Sequence, residues 1–260
     1  MTETPFVDRI ITMFSRGALL EKFIPVLLIV TIALSFLVGV LWQKVSTLEG
    51  GKGSNTTLTA GDEAQAVVNG KLSEEQAKKV EKVSDKDRVR GPRNARVVLI
   101  EYSDLECPFC KQFHQTAQDA VNEYDELAWV YRHFPLDSLH PKADKEAEAA
   151  ECAAEQGGEI SFWSFVDKIF EVTPSNNGLD LADLPTYASQ IGLNQGEFKT
   201  CLDSGKFAEE VERQFQSGVT AGVTGTPGNF IMNWKGEVWV IPGAVDLETL
   251  KATIEEALKS

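Results

Sequence analysis

The chain has 260 residues and a formal net charge of −14, and residues 88–260 alone hold 15 basic and 28 acidic side chains. That acidity excludes a nucleic-acid binder, which needs a basic face to displace counterions from phosphate. A hydrophobic content of 43% and a charged content of 25% exclude wholesale disorder, and four cysteines are too few for a small disulfide-stapled scaffold.

Residues 1–22 precede an uncharged run from Phe23 to Trp42. At about 1.5 Å per residue, that run reaches about 30 Å, the thickness of a hydrocarbon core. A cleaved signal peptide is the competing reading. It requires a shorter apolar core and a small-x-small cleavage site, and none follows before Trp42-Gln43-Lys44. A buried core helix would carry a polar face, which this run lacks. The expectation is an uncleaved single-pass transmembrane helix over 23–42. Arg9, Arg16 and Lys22 on one flank, against Lys44 and Lys52 on the other, favour a cytoplasmic N-terminus.

Residues 43–87 read as a linker. Gly, Ser, Thr, Asn and Ala dominate 49–72 without apolar periodicity, which describes a flexible tether. Asn55-Thr56-Thr57 has the form of a glycosylation sequon, relevant only in a eukaryotic secretory pathway. Ser73 and Gln76 form a capping box, which predicts a polar, solvated spacer helix to about Val83.

The folded domain is expected over 88–260. The β-branched run Arg96 to Tyr102 predicts a buried strand, and a helix follows from Pro108 to about Tyr124. Ala128 to Phe134 is the second strand. Residues 142–219 read as mostly helical, with segments Phe162–Phe170, Leu181–Ile191, Gln195–Leu202 and Phe207–Gly218. Asn229–Met232 and Glu237–Ile241 are short strands about a turn at Asn233-Trp234-Lys235-Gly236, and a helix from Leu247 to Leu258 ends the chain. The order is β-α-β, a helical block, then β-β-α.

Cys107-Pro108-Phe109-Cys110 carries the chemistry. It follows a strand and opens a helix, which puts Cys107 at the N-cap beside unsatisfied N–H groups and the positive end of the helix dipole. Both favour thiolate over thiol. Pro108 suits the first helical position because the N–H it lacks had no partner there. The expected asymmetry is an exposed, activated Cys107 and a shielded, resolving Cys110. Half of a zinc site competes, but zinc takes four ligands, and Cys152, Cys201, His114, His133 and His140 are scattered, so no metal is expected. A purely structural disulfide competes as well, although so short a loop stabilises little.

Together with Gly225-Thr226-Pro227 before a strand, and with the helical block between the second and third strands, Val98 to Cys110 resembles the DsbA-like thiol–disulfide oxidoreductases of the thioredoxin superfamily. The resemblance runs from about Asp87 to the C-terminus. It implies an α/β, thioredoxin-like fold with a helical insertion. It implies that Pro227 is cis, lies against the cysteine pair, and with Thr226 forms a loop that receives substrate peptide. It implies a structural disulfide between Cys152 and Cys201 in an oxidising compartment. It also implies an acid at Glu101 beneath the pair, whose pKa burial would raise so that it could relay the proton of Cys110. An ordinary strand-edge carboxylate is the alternative for Glu101. Gly228-Asn229 departs from relatives, which more often place β-formers there.

Asp104 and Glu106 are expected in the loop before the motif, where they oppose a thiolate. His114 is expected on the solvated face of its helix. Phe162, Phe165, Val166 and Ile169 recur at helical spacing and read as core. Trp163 and Phe170 flank that stripe, and one of them is a candidate peptide-binding rim.

The function expected is a membrane-tethered, extracytoplasmic protein disulfide oxidoreductase in a bacterial cell membrane. It needs no cofactor, acts on cysteine-containing proteins, and has its active-site pair recycled by a membrane redox partner. A reductase or isomerase would use the same residues. A non-enzymatic tethered peptide-binding or chaperone module, and electron delivery to one dedicated partner, are the competing classes.

Overall fold

A computed structural model describes residues 70–260. The run Phe23–Trp42, the sequon at Asn55 and most of the expected tether lie outside the described residues. Among the described residues, no helix is long and apolar enough to cross a membrane.

Five strands form one sheet in the order β1-β3-β2-β4-β5. They are β1 (Arg88–Arg90), β2 (Val97–Ser103), β3 (Leu127–His133), β4 (Gly228–Asn233) and β5 (Val238–Ile241). β2 and β3 run parallel, joined by α2 (Pro108–Glu123), and the remaining pairs are antiparallel. The insertion between β3 and β4 holds α3 (Ala143–Val172), α4 (Leu184–Gln190), α5 (Gln195–Ser204) and α6 (Ala208–Ala221), and α7 (Leu247–Lys259) ends the chain. Helical geometry in α3 breaks at Gly157 and Gly158, so it is two helices across a kink.

The two faces of the sheet carry two cores, because side chains alternate along a strand. Val97 and Leu99 of β2, with Trp129 and Tyr131 of β3, pack under Phe113 of α2, Ile254 of α7 and the insertion. Phe162, Phe165, Val166 and Ile169 are buried there, and so are Trp163 and Phe170, which removes both from any exposed rim. Ile100, Tyr102 and Val130 point to the opposite face, where Phe134, Val223 and Phe230 join them.

The short polar helix before β1 is solvated as expected, but the chain on either side of it is anchored to the sheet. This helix, α1 (Glu74–Ala77), is one turn, started by the expected Ser73–Gln76 capping box. Leu72 donates its N–H to Val238 O at 2.8 Å, and Leu72 and Val80 are buried in the second core. Each such burial contributes on the order of 2 kcal/mol. Two isolated apolar residues in a polar stretch gave no helical stripe, so only the contact with the sheet edge decides their role.

Strand β1 is an addition to the expected order. Arg-Val-Arg offers one apolar residue, too little for a strand signal. Its arginines are used by the insertion: Arg88 pairs with Glu151, and Arg90 pairs with Asp167 at 2.7 Å with its guanidinium 4.4 Å from the Trp163 ring centre. On the other side of β2, Gly228 opens the inner strand β4, where a Cβ would lie 2.5 Å from Val223 Cγ1, and Asn229 donates from Nδ2 to Gly243 O at 3.0 Å. A β-former has no room at that position.

A candidate dithiol active site

Strand β2 delivers the chain to a tight turn in which Cys107 N bonds Asp104 O at 3.1 Å. Cys107 is the N-cap of α2, in extended conformation, and Pro108 takes the first helical position. Lys111 N returns to Cys107 O at 3.0 Å and closes the first turn. Cys107 and Cys110 are both free thiols.

The Thr226–Pro227 peptide bond is cis, and the Thr226 carbonyl accepts from the Cys107 thiol at 3.5 Å. That loop covers the sulfur. Cys107 is only 4% exposed, whereas Phe109 beside it is 60% exposed. The expected exposed nucleophile is therefore shielded, because the 226–227 loop, far away in sequence, closes over it.

The two thiols differ in acidity. The Cys107 pKa is lowered to about 6. The Cys110 thiol is the largest cause. Thr226 adds to it, its hydroxyl otherwise unpartnered among the described residues, and so do the N–H groups of Cys110 and Phe109, while burial opposes. The helix terminus thus acts, but behind the neighbouring thiol. Cys110 is fully buried, and burial together with the Cys107 charge pushes its pKa well up. Its sulfur accepts from Asp104 N at 3.5 Å.

Glu101 is fully buried in the middle of β2, on the same face as Leu99, and is no strand-edge carboxylate. Trp129 Nε1 donates to its Oε2 at 3.0 Å, and its Oε1 has no partner among the described residues. Burial raises its pKa to about 7, against the nearby Ser103 hydroxyl and the Trp129 bond, which lower it. Its charge in turn raises Cys110. A carboxyl poised near neutrality thus lies within electrostatic reach of the buried thiol.

Asp104 and Glu106 lie in the loop between β2 and α2, as expected, and both are buried there. Asp104 accepts from Glu106 N and Leu136 N and faces His140 Nδ1 at 2.9 Å, and burial raises its pKa despite those partners. His114 is likewise buried, not solvated. It lies between the Trp129 and Phe170 rings with Nε2 2.7 Å from Asp167 Oδ1, and burial lowers its pKa. Its lone place on a helix carried no signal of that partner. Cys152 of α3 and Cys201 of α5 are disulfide-bonded, with Cα atoms 5.9 Å apart.

The thioredoxin family model matches residues 83–256. The chain belongs to the thioredoxin family. Among solved structures, it is similar to Pseudomonas aeruginosa DsbA2, with 28% identity and a TM-score of 0.57 over 67% of this chain and 96% of that one. It shares its fold with oxidised BdbD from Bacillus subtilis, at 24% identity and a TM-score of 0.58 over 67% of this chain and 94% of that one. The mixed α/β, thioredoxin-like fold with a helical insertion is thus a DsbA-like fold. A curated relative, the Na(+)/H(+) antiporter NhaA 3 of Salinispora tropica, is 34% identical over 176 residues, which are 68% of this chain and 25% of that protein. The chain spans about a quarter of the length of the curated relatives it matches.

Proposed function

We propose that this protein is a membrane-tethered, extracytoplasmic thiol–disulfide oxidoreductase that oxidises cysteine-containing proteins through Cys107 and Cys110. The observation that carries the reading is the split between the two thiols, one lowered to about 6 and the other pushed well up beside a buried acid. In the oxidised enzyme, a client thiolate attacks Cys107 Sγ and breaks the Cys107–Cys110 bond. The electron pair leaves on Cys110, which takes a proton from Glu101. A second client thiolate then attacks the client sulfur of the mixed disulfide, and Cys107 departs as a stabilised thiolate. Two electrons have passed from client to enzyme, and a membrane redox partner must remove them. A stabilised Cys107 thiolate favours the reduced state and so makes the pair oxidising.

Pro227 and Thr226 serve as the loop along which an extended client peptide lies, and Phe109 offers an exposed apolar contact beside it. The uncharged run Phe23–Trp42 supports the tether, with the N-terminus cytoplasmic. Cation exchange is not part of this reading, since the match covers a quarter of the antiporter relative. Equilibrating the full chain with glutathione tests the direction. A potential of about −120 to −180 mV agrees with disulfide donation, whereas a value near about −270 mV would make the protein a reductase.

A further inference from the structure

Glu106 immediately precedes Cys107, and Glu146 stands in the first turn of α3. Both are fully buried, and their carboxyl groups lie within hydrogen-bonding reach of each other. Asn177 N donates to Glu106 Oε2. Glu106 Oε1 and both oxygens of Glu146 have no donor among the described residues. Two ionised carboxylates cannot face each other in a dry site without a donor or cation between them. One proton resolves this, because a protonated carboxyl is a donor and a carboxylate an acceptor.

We propose that Glu106 and Glu146 share a single proton, Glu146 donating and Glu106 accepting, and that this bond makes Glu146 a positioning residue for the Cys107 turn. The proposal rests on the oxidoreductase reading only for its effect on exchange. Asn177 N–H already donates to Glu106 Oε2 and favours the charge there, whereas neither oxygen of Glu146 receives a donor, so the proton is placed on Glu146.

The other charged groups around the pair do not replace that proton. Asp104, on the same turn, is occupied by Leu136 N, Glu106 N and His140. Lys142, just before α3, sends its Nζ to the Asn177 and Leu179 carbonyls at 2.8 and 2.5 Å. Lys111 sends its own to Thr173 O at 2.6 Å. Burial, then Glu106, then Asp104 push the Glu146 pKa up to about 10, and Lys142 opposes them least.

The opposite side of Glu106 is held by an unusual turn. Ser175, Asn176 and Asn177 all have positive φ, at 62°, 52° and 65°. Non-glycine residues rarely adopt that region, and three in succession need outside support. Here the turn aims Asn176 N at Glu106 O, 2.8 Å away, and Asn177 N at the Glu106 carboxylate. Glu106 is thereby clamped between this turn and Glu146, and its backbone leads directly into the nucleophile.

Infrared spectra of the full chain in a Glu101→Gln background, where the other near-neutral buried acid is removed, should show a protonated-carboxyl band at pH 8 that Glu146→Gln abolishes. The folded protein keeps this proton where the unfolded chain loses it, so wild type should lose stability relative to Glu146→Gln as pH rises from about 4.5 towards 10. Glu146→Ala should slow alkylation of Cys107 at least tenfold, and Glu146→Gln, which keeps a donor, should restore it. If Glu146→Ala does not fold, the band and the pH-dependent stability difference decide. Absence of the band, a stability difference independent of pH, or unaltered Cys107 reactivity in a folded Glu146→Ala would overturn the proposal. The band and the stability difference do not depend on activity, so a wild-type chain that exchanges no disulfides would sink the oxidoreductase reading and leave the acid pair to be judged separately.

Discussion

Trp129 hands its indole N–H to Glu101 Oε2 at 3.0 Å and leaves the other oxygen of that buried carboxyl bare. One satisfied oxygen fixes the side chain in the sheet. The bare one keeps the group from settling as a fully solvated anion or as a fully paired one, and its pKa stays near 7.

Glu101→Gln keeps the acceptor for Trp129 and removes the titrating proton. Release of Cys110 from the mixed disulfide should slow, and its dependence on pH between 5 and 8 should flatten. Glu101 is raised in the fold, so its protonated form stabilises below about 4.5 and that contribution is lost as pH rises through about 7. The variant escapes this loss and should be more stable at pH 8 by up to about 3 kcal/mol. Denaturant titration and stopped-flow exchange measure the two effects. Unchanged turnover over the whole pH range would remove Glu101 from the proton relay.

The cysteine pair should make the stability of the reduced protein depend on pH in a way the oxidised protein does not share. Cys107 titrates at about 6 in the fold, against an ordinary thiol value of 9.0. A lowered pKa stabilises fully above the unfolded value, and the gain is lost as pH falls to the folded one. Reduced protein should therefore gain about 1.4 kcal/mol per pH unit between about 6 and 9, relative to oxidised protein. Above about 9, Cys110 reverses the trend, because burial keeps it protonated where an unfolded thiol would ionise. Parallel urea curves of the two redox forms check this, and identical pH profiles would mean that Cys107 is not activated.

Cys107 should also be the thiol that a small alkylating agent modifies at pH 7, at a rate that follows a titration near 6. Cys110→Ala should accumulate mixed disulfides with clients, and Cys107→Ser should form none. Mass spectrometry of trapped species distinguishes the two, and a client adduct on Cys110 in wild type would invert the assignment.

The Cys152–Cys201 bridge closes a separation of 49 residues across the insertion. Loop-closure entropy assigns it on the order of 4 kcal/mol, so a Cys152→Ala/Cys201→Ala pair should lose about that much in urea unfolding. An unaltered midpoint would mean that the insertion is held by its packing alone.

Gly218→Ala should destabilise by about 1–3 kcal/mol, the usual cost of overpacking. A Cβ at Gly218 of α6 would lie 2.6 Å from Phe134 Cδ2 and 2.8 Å from Tyr102 Cδ1, ring atoms with neighbours on every side. Thermal unfolding measures it. A neutral substitution would show that α6 can slide on the sheet.

What was legible in sequence came from short-range chemistry. Val97–Ser103 is a strand because its residues are β-branched and apolar, and Pro108–Glu123 is a helix because a proline opens it and an apolar stripe runs along it. The Cys-Pro-Phe-Cys spacing, the proline at 227 and the helical block after the second strand marked the candidate site and, by resemblance, the fold.

The remainder depended on partners far along the chain. Arg88–Arg90 is a strand only because Tyr131 to Trp129 offer it a ladder and the insertion offers carboxylates and indoles. His114 is buried because Asp167, Trp129 and Phe170 surround it. Cys107 is covered because Thr226 folds back over it, and Glu106 and Glu146 act on each other although 40 residues separate them in sequence. Composition and periodicity report which residues prefer burial or a helix. They do not report which carboxyl will face which thiol or carboxyl, and that pairing, together with burial, sets the proton affinities at this site.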